Sequence, residues 1–262
     1  MRIKLHSMYD HFPDHHPVDG EPYINCYNDT YVKGDVEPGS IALLIEPRSL
    51  QADTYTYMEQ NYQKFKYVYT HDSKLLKICD NARLIIWGFG NANYMNFSDG
   101  KKTKNVSMVS SDKEYCELHK IRKQMAKDLK EFGFVHTLGT FDGGEFVSTK
   151  DIYAPYRFSI AIENYIDDYW MTEKIFNCFA NMTVPIYLGA GRIDEYFNKH
   201  GILQFQTPEQ LITFVKNHCR WNDWELVYQN MLPFVEKNHE IIKQYGPFED
   251  WFYKKYGDLI NE

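Results

Sequence analysis

Residues 156–191 read YRFSIAIENYIDDYWMTEKIFNCFANMTVPIYLGAG. The apolar run Arg157–Ile162 predicts a buried strand, and Val184–Leu188 predicts a second one. Between them the apolar residues repeat at helical spacing, so Thr172–Ala180 is predicted to be a helix that Thr172 caps. A strand, a helix and another strand in succession are typical of a parallel sheet that is covered by helices.

The same alternation continues along the rest of the chain. Further strands are predicted at Arg2–Leu5, Ser40–Glu46, Tyr67–Thr70, Arg83–Trp87 and Asn105–Val109, and further helices at Thr54–Phe65, Ser73–Cys79 and Lys113–Glu131. Residues 89–104 lose this periodicity and gain Asn, Gly, Ser and Lys, which predicts a linker. The sequence is therefore expected to form two α/β domains, at residues 1–100 and 101–262.

The last part of the chain is helical in pattern. Helical spacing runs from Glu209, and Pro233 and the Gly246-Pro247 pair are expected to interrupt it. A final helix, Glu249–Tyr256, is then expected to fold back elsewhere.

Composition limits the kinds of function. The formal net charge of -7 argues against a general binder of nucleic acid or of anionic membranes. The longest apolar runs, Ile41–Ile45 and Leu84–Trp87, are far shorter than the roughly 20 residues of a membrane-spanning helix. The first 13 residues lack the apolar core of a secretory signal, and the 5 cysteines have no CxxC spacing, which favours reduced thiols. We therefore expect a cytoplasmic protein with no integral membrane segment.

The segment after the strand Arg157–Ile162 carries the polar chemistry. Glu163 and Asn164 follow the strand directly, at the edge of a parallel sheet where ligands bind. The first turn of the next helix contains Lys174, whose charge and the free N–H groups of that turn would together favour a diphosphate. The alternative is that Lys174 extends to solvent and Glu173 only complements the helix dipole.

Several familiar motifs are incomplete or absent. The glycines that follow two predicted strands, at 88–90 and 189–191, lack the third glycine of a dinucleotide-binding loop, and no P-loop sequence is present. Pro13 prevents the helix that would align the histidines of residues 10–16 as metal ligands. Asp167-Asp168 is not the D-x-D of metal-dependent sugar transferases. We expect neither a cofactor nor a metal ion.

Three blocks of the opening stretch, RFSIAIEN, YWMTEKIFNCF and VPIYLG, resemble the donor-binding signature of the α1,3-fucosyltransferases. In that family a strand ends in Phe-Glu-Asn and is followed by Tyr-x-Thr-Glu-Lys and by a Val-Pro-x-x-x-Gly strand. Upstream, VSSDKEYCELHKIRKQMAKDL at residues 109–129 resembles, more loosely, a Ser-Asn turn that leads into a helix bearing an arginine. The likeness continues weakly to about residue 245.

The resemblance implies an inverting glycosyltransferase of the GT-B type, with two facing Rossmann-like domains and the site in the cleft between them. Fucose would pass from GDP-fucose to a hydroxyl of a saccharide acceptor. Arg122 and Lys174 would hold the diphosphate, and Glu173 would contact the donor's sugar or ribose. The implied donor-binding residues are Arg122, Arg157, Glu163, Asn164, Trp170, Thr172, Glu173 and Lys174.

Two positions depart from the family pattern. Trp170 stands where the family has tyrosine before Thr-Glu-Lys, and Ser111 stands where it has the asparagine of the upstream turn. Either departure leaves open a nucleotide-diphosphate sugar other than GDP-fucose. The alternative to a donor role for Arg157 is a salt bridge at the start of its strand.

The resemblance implies a catalytic base in the N-terminal domain, at the glutamate that ends a strand. That position is Glu46 in IALLIEPRS, where partial burial would raise the basicity of the carboxylate. The alternative is that Glu46 only pairs with Arg48 on a surface turn. An inactive descendant that binds nucleotide or glycan stays open, and a glycoside hydrolase is less favoured because no second carboxylate pairs with Glu46 by sequence.

Overall fold

A computed structural model describes residues 1–90, 97–98, 101–218 and 223–261. Within these residues the chain forms two compact units, each built on one five-stranded parallel sheet. The first unit comprises Met1–Asn93, Asp167–Trp170 and Tyr245–Glu262, and the second comprises Tyr94–Ile166 and Met171–Gln244. The α/β class is confirmed. The boundary expected at residue 100 and much of the expected linker lie outside the described residues.

The elements follow one another in the order that the sequence pattern indicates. The strands are β1 (Arg2–His6), β2 (Tyr23–Asn28), β3 (Ile41–Leu44), β4 (Tyr67–Thr70), β5 (Ala82–Leu84), β6 (Lys104–Val109), β7 (His136–Leu138), β8 (Tyr156–Ile162), β9 (Val184–Leu188) and β10 (Leu203–Phe205). The helices are α1 (Ala52–Asn61), α2 (Ser73–Ile78), α3 (Glu117–Phe132), α4 (Thr149–Tyr153), α5 (Glu173–Ala180), α6 (Pro208–His218), α7 (Trp224–Ile242) and α8 (Phe248–Asn261). The sequence pattern missed β2, β7, β10 and α4, all but β2 being five residues or shorter.

The first sheet has the sequential order β1-β2-β3-β4-β5. Alternate residues of its strands supply two separate cores, because successive side chains of a strand point to opposite faces. Ala42 and Leu44 of β3 pack with Tyr55 and Met58 of α1 on one face. Ile41 and Leu43 belong to the core of the opposite face.

The chain's last helix covers that opposite face. Right-handed crossovers between sequential strands place the connecting segments on one side of a sheet, so the other side needs a cover from elsewhere. Helix α8 supplies it through its buried residues Phe248, Phe252, Tyr256 and Ile260. The Phe252 ring lies 4.8 Å from that of Tyr69 on β4. The sequence pattern placed residues 245–262 in the second domain, but they belong to the first unit. This agrees with the separate expectation that the final helix folds back elsewhere.

The second sheet has the order β10-β9-β8-β6-β7. The chain passes from β6 outward to β7 and then returns to the other side of β6 with β8, which pairs with β6 in parallel. Such a reversal of strand order is the switch point of a doubly wound sheet, where the connections leave in opposite directions and open a crevice at the carboxyl ends of the two strands. The two strands here are β6 and β8.

Helix α7 corrects one expectation from the sequence. Pro233 was expected to end a helix, yet it lies inside α7, which continues to Ile242. An interior proline removes a backbone hydrogen bond and costs about 3 kcal/mol. Tyr228 and Val235, on either side of Pro233, are both buried, so packing of the helix outweighs this cost. None of the described helices, α7 included, is long and apolar enough to cross a membrane.

Candidate functional site

The switch point of the second sheet places two helix N-termini beside each other. The segment after β6 leads into α3, and the segment after β8 leads into α5. Arg122 on α3 donates from Nη1 to the carbonyl oxygen of Ile162, the last residue of β8, over 3.1 Å. Cys116, the N-cap of α3, donates from its thiol to the carbonyl oxygen of Asn164 over 3.3 Å. These two contacts fix the first turns of α3 against the end of β8.

Glu163 is the centre of this arrangement. It follows β8 directly and is fully buried. Its carboxylate accepts hydrogen bonds from the backbone N–H of Thr172 over 2.9 Å and from the Thr172 hydroxyl over 2.7 Å. The Lys174 ammonium lies 3.2 Å from the same carboxylate, and the buried Tyr187 hydroxyl also bonds to it. A buried carboxylate needs such partners, because burial without them is strongly unfavourable.

Gly189 leaves the space that Glu163 occupies. A Cβ at this position would lie 2.4 Å from the Tyr187 hydroxyl and 2.5 Å from Cγ of Glu163, closer than real Cβ atoms come to such neighbours. The glycine of the VPIYLG block is therefore required by the close approach of the Glu163 side chain.

Lys174 joins two carboxylates and a hydroxyl. Its ammonium donates to Oγ1 of Thr172 over 2.8 Å and to Oε1 of Glu173 over 3.2 Å, in addition to its ion pair with Glu163. Burial opposes the charge on Lys174, but Glu163 and Glu173 outweigh burial and raise the pKa of this ammonium above its ordinary value. The Lys174 side chain is 20% exposed, so the held cation still reaches solvent and any bound anion.

Arg122 is a second buried cation at the same edge. The residue is 8% exposed, and no hydrogen-bond partner for its Nε was found among the described residues. Burial lowers the pKa of the guanidinium and nearby Glu163 partly offsets this, but an arginine stays charged at any pH at which proteins fold. A buried guanidinium with an unfilled donor is suited to bind an anion.

Thr172 has a different local role from the one expected. It is the N-cap residue of α5 by position, but its side chain forms no capping hydrogen bond to the helix. Its hydroxyl donates to Glu163 instead. The first-turn N–H groups of α5 are thus not occupied by the Thr172 side chain, although the Glu173 carboxylate accepts a hydrogen bond from its own backbone N–H.

The structure brings six of the eight expected donor-site residues together at the switch point, all of them in the second unit: Arg122, Glu163, Asn164, Thr172, Glu173 and Lys174. Arg157 is not with them. It lies at the opposite end of β8 from Glu163, where it forms an ion pair with Glu225 and donates to the carbonyl oxygen of Lys104 over 3.3 Å. The structure thus contains a salt bridge at the start of the strand, the alternative that the sequence left open for Arg157. A donor role for Arg157 stays a prediction.

Trp170 belongs to the first unit. It is buried, and its ring lies 4.3 Å from the ring of His71, which follows β4. Nearby, Asp167 accepts a hydrogen bond from the Ser73 hydroxyl over 2.8 Å. The segment 167–170 is thereby attached to the carboxyl end of β4.

Glu46, the expected base, lies just beyond the end of β3 and is partly exposed. Its backbone is held from two sides. Its N–H donates to Oδ1 of Asp29 over 3.1 Å, and its carbonyl oxygen accepts from the Tyr55 hydroxyl over 2.7 Å. Arg48 pairs with Asp72 over 2.8 Å and with Glu59 over 2.7 Å, so it is already engaged by two other carboxylates. Glu46 thus stands on a firmly fixed backbone at the carboxyl edge of the first sheet.

Asp29 is a buried carboxyl that the sequence pattern did not indicate as special. Its backbone has a φ of 49°, in the left-handed region that only Gly, Asn and Asp adopt readily. Its Oδ1 accepts from the backbone N–H groups of Ile45 and Glu46. Burial raises the pKa of Asp29 to about 7, and the neighbouring Glu46 adds to the rise while these hydrogen bonds oppose it.

Two residues of the second-unit site were missed by sequence reasoning. Tyr187 lies in β9, whose sequence VPIYL reads as an ordinary buried strand and gives no sign of a polar contact. His119 precedes Arg122 by one helical turn, and this i, i+3 spacing is the signal that could have identified it. Both are buried. In the part of the chain that the structure describes, no group of three His, Cys, Asp or Glu residues is placed to hold a metal ion.

Comparison with known families gives a match over the second half of the chain. Residues 99–240 match glycosyltransferase family 10 (fucosyltransferase), C-terminal region. The mouse 4-galactosyl-N-acetylglucosaminide 3-alpha-L-fucosyltransferase 9 is 28% identical over 145 residues, which are 45% of this chain and 40% of that protein. The Arabidopsis thaliana alpha-(1,4)-fucosyltransferase is 33% identical over 64 residues, which are 23% of this chain and 16% of that protein. The chain thus spans less than half the length of these relatives.

Solved structures match over more of the chain. A crystal structure of alpha1,3-fucosyltransferase with GDP aligns with a TM-score of 0.53 at 15% identity, covering 80% of this chain and 72% of that one. The crystal structure of TarM aligns with a TM-score of 0.59 at 11% identity, covering 92% of this chain and 55% of that one. Together with the two parallel sheets, these matches show a GT-B-type glycosyltransferase fold.

Proposed function

The chain belongs to glycosyltransferase family 10, the fucosyltransferases, and on that premise we propose that it transfers fucose from GDP-fucose to a hydroxyl of a saccharide acceptor. The observation that carries this proposal is the cationic edge of the second sheet. Lys174, held by Glu163, and Arg122, with an unfilled Nε, lie beside two helix N-termini at a switch point. This combination of fixed cations and helix N-termini suits a nucleotide diphosphate.

The chemistry would be a single displacement. As the acceptor hydroxyl attacks the anomeric carbon, negative charge gathers on the departing GDP. Lys174, Arg122 and the N–H groups of α5 are already in place to stabilise that charge, so little reorganisation is needed in the transition state. One displacement at the anomeric carbon inverts its configuration.

Glu46 is proposed as the general base. It would take the proton of the acceptor hydroxyl as that hydroxyl attacks. The hydrogen bonds from its N–H to Asp29 and from Tyr55 to its carbonyl oxygen support this proposal, because a base must be held in position to act.

The test is transfer of radiolabelled fucose from GDP-fucose to a panel of saccharides. The wild type is expected to label an acceptor, and Glu46→Gln is expected to lose about 10²–10⁴-fold in kcat while still binding GDP-fucose. Lys174→Ala is expected to weaken GDP-fucose binding itself. Glu21→Gln, at an exposed ion pair with Arg2, serves as the control and should keep full activity.

Three results would change the proposal. Unchanged turnover in Glu46→Gln would remove Glu46 from the mechanism. Transfer of another sugar from another nucleotide, without transfer of fucose, would assign a different donor, which the departures at Trp170 and Ser111 leave open. Binding of GDP-fucose with no transfer to any acceptor would favour a binding protein that has lost its activity.

A further inference from the structure

His119 and Arg122 lie one turn apart on the buried face of α3, and each contains a nitrogen that lacks a partner. The atoms are Nδ1 of His119 and Nε of Arg122, for which no hydrogen-bond partner was found in the described part of the chain. His119 is 5% exposed and Arg122 is 8% exposed. A buried polar atom normally has a partner, because it loses its bonds to water on folding. Two such atoms one turn apart on the same face of a helix are therefore candidates to bind a single ligand.

The charges around His119 indicate which kind of ligand this is. Arg122 lies on the same helix, Lys174 on the first turn of α5 and Lys113 on the loop before α3, and all three act on the imidazole as cations. The ring of Tyr115 stands edge-on at 6.1 Å between centroids. Glu163 and Glu173, the carboxylates that act on Arg122, are paired with Lys174.

His119 is uncharged in the free protein. Burial, followed by the charges of Arg122, Lys174 and Lys113, lowers the pKa of the imidazole to about 4. At neutral pH the ring therefore has one proton. An anion bound among these cations would cancel their effect and favour the doubly protonated ring, in which both nitrogens donate.

We propose that His119 is a further ligand of the donor's diphosphate group, donating from Nδ1 to a phosphate oxygen next to Arg122 and taking up a proton from solvent as the donor binds. This inference rests on the proposed function, since it takes the anion to be the diphosphate of a nucleotide sugar. It adds a charge-assisted hydrogen bond that exists only in the complex. Binding of the donor would then grow tighter as the pH falls from 8 to 6.

Isothermal titration calorimetry with GDP-fucose tests this directly. Titrations at pH 7 in two buffers of different ionisation enthalpy give the number of protons taken up per donor bound. The intact sugar nucleotide is used because the terminal phosphate of free GDP titrates near pH 6 and would confuse the proton count. Repeating the titrations at pH 6 and pH 8 gives the pH dependence of the affinity.

Two variants separate the parts of the proposal. His119→Asn keeps an N–H donor close to the position of Nδ1 but cannot gain a proton, whereas His119→Leu removes both properties. Wild type is expected to take up a substantial fraction of a proton and to bind about tenfold more tightly at pH 6 than at pH 8. His119→Asn should lose the proton uptake and the pH dependence, and His119→Leu should also bind about tenfold more weakly at pH 7.

The stability of the free variant is a second readout. His119→Leu removes a buried polar atom that has no partner, so its melting temperature without nucleotide is expected to equal that of wild type or exceed it by about 2–4 °C. Weak donor binding by a variant that is at least as stable as wild type would then be a loss of a ligand contact and not of folding.

The outcomes separate this inference from the proposed function. Equal affinity and equal proton uptake in wild type and both variants would overturn the role of His119. If His119→Leu bound more weakly but wild type took up no proton, the proposed protonation of His119 on donor binding would also be overturned. If Lys174→Ala still weakened binding in either case, the donor site would stand and only His119 would be removed from it. If wild type bound no GDP-fucose at all, both proposals would fail.

Discussion

A buried carboxyl group at the carboxyl edge of each sheet, Glu163 in the second unit and Asp29 in the first, has different partners. Glu163 in the second unit has an ammonium and two hydroxyls around its charge. Asp29 in the first unit bonds to two backbone N–H groups, and burial raises its pKa to about 7. The Asp29 carboxyl is thus held by uncharged donors, whereas the Glu163 carboxylate lies beside a cation.

Strand order accounts for part of this difference. The second sheet reverses its order between β6 and β8, so two helix N-termini meet at its carboxyl edge. The first sheet runs in sequential order through all its strands, with no reversal among the described ones. A helix N-terminus attracts negative charge, so an edge with two of them favours an anionic ligand.

The largest expected effect concerns the paired carboxylate. Glu163→Gln leaves Lys174 without its buried counter-ion, and we expect the free energy of unfolding to fall by about 3 kcal/mol. Chemical denaturation measures this. Glu114→Gln, which removes the exposed partner of Lys123, is the matched control and should show no measurable change. An unchanged stability in Glu163→Gln would mean that the pair does not organise the second edge.

The corresponding change in the first unit is expected to have the opposite sign. Asp29→Asn keeps an oxygen that can accept from the N–H groups of Ile45 and Glu46, and asparagine tolerates the left-handed backbone. Wild-type Asp29 binds a proton in the folded state up to about pH 7 but loses it near pH 4 when unfolded. Its contribution to stability is therefore lost progressively as the pH rises through this window.

We therefore expect Asp29→Asn to be more stable than wild type by about 1–2 kcal/mol at pH 8, with little difference at pH 4. Denaturation curves at the two pH values give both numbers. A variant that is less stable than wild type at pH 8 would show that the Asp29 charge is compensated in the folded protein, and the contrast between the two edges would fail.

The smallest effect is expected at Arg157. Because this residue lies at the far end of β8 and pairs with the half-exposed Glu225, Arg157→Gln should change the free energy of unfolding by less than about 1 kcal/mol. It should also leave the affinity for GDP-fucose unchanged, as measured by calorimetry. A tenfold loss of affinity would restore Arg157 to the donor site and contradict the expectation drawn from its position at the far end of β8.

Much of the second unit could be predicted from the sequence because its motif residues are consecutive in the chain. The segment from Glu163 to Lys174 contains most of the site, and its strand and helix have clear periodicity. Strand pairing, in contrast, is not encoded locally. That α8 would cover the first sheet, or that Gly189 would lie against Glu163, depends on contacts between residues far apart in the sequence.

Two differences between the expected and the observed positions have physical reasons of the same kind. Pro233 disfavours a helix locally, but tertiary packing on both sides of it keeps α7 continuous. Arg157 precedes Glu163 by only six positions, yet an extended strand separates them by about 20 Å because each residue advances about 3.3 Å. The buried state of Asp29 and His119 could not be predicted either, since each depends on which elements pack over it.

The most direct test of the central claim, that the edge of the second sheet binds the diphosphate of a guanine nucleotide, is thermal stabilisation by nucleotides. A ligand that binds only the folded state at 100 times its Kd adds about 2.7 kcal/mol, which corresponds to a rise in Tm of about 5 °C or more. We expect GDP to produce this rise in wild type, UDP, ADP and CMP to produce much smaller ones, and Lys174→Ala to lose the response to GDP. A rise with UDP and none with GDP, or an equal response to GDP in Lys174→Ala, would contradict the account.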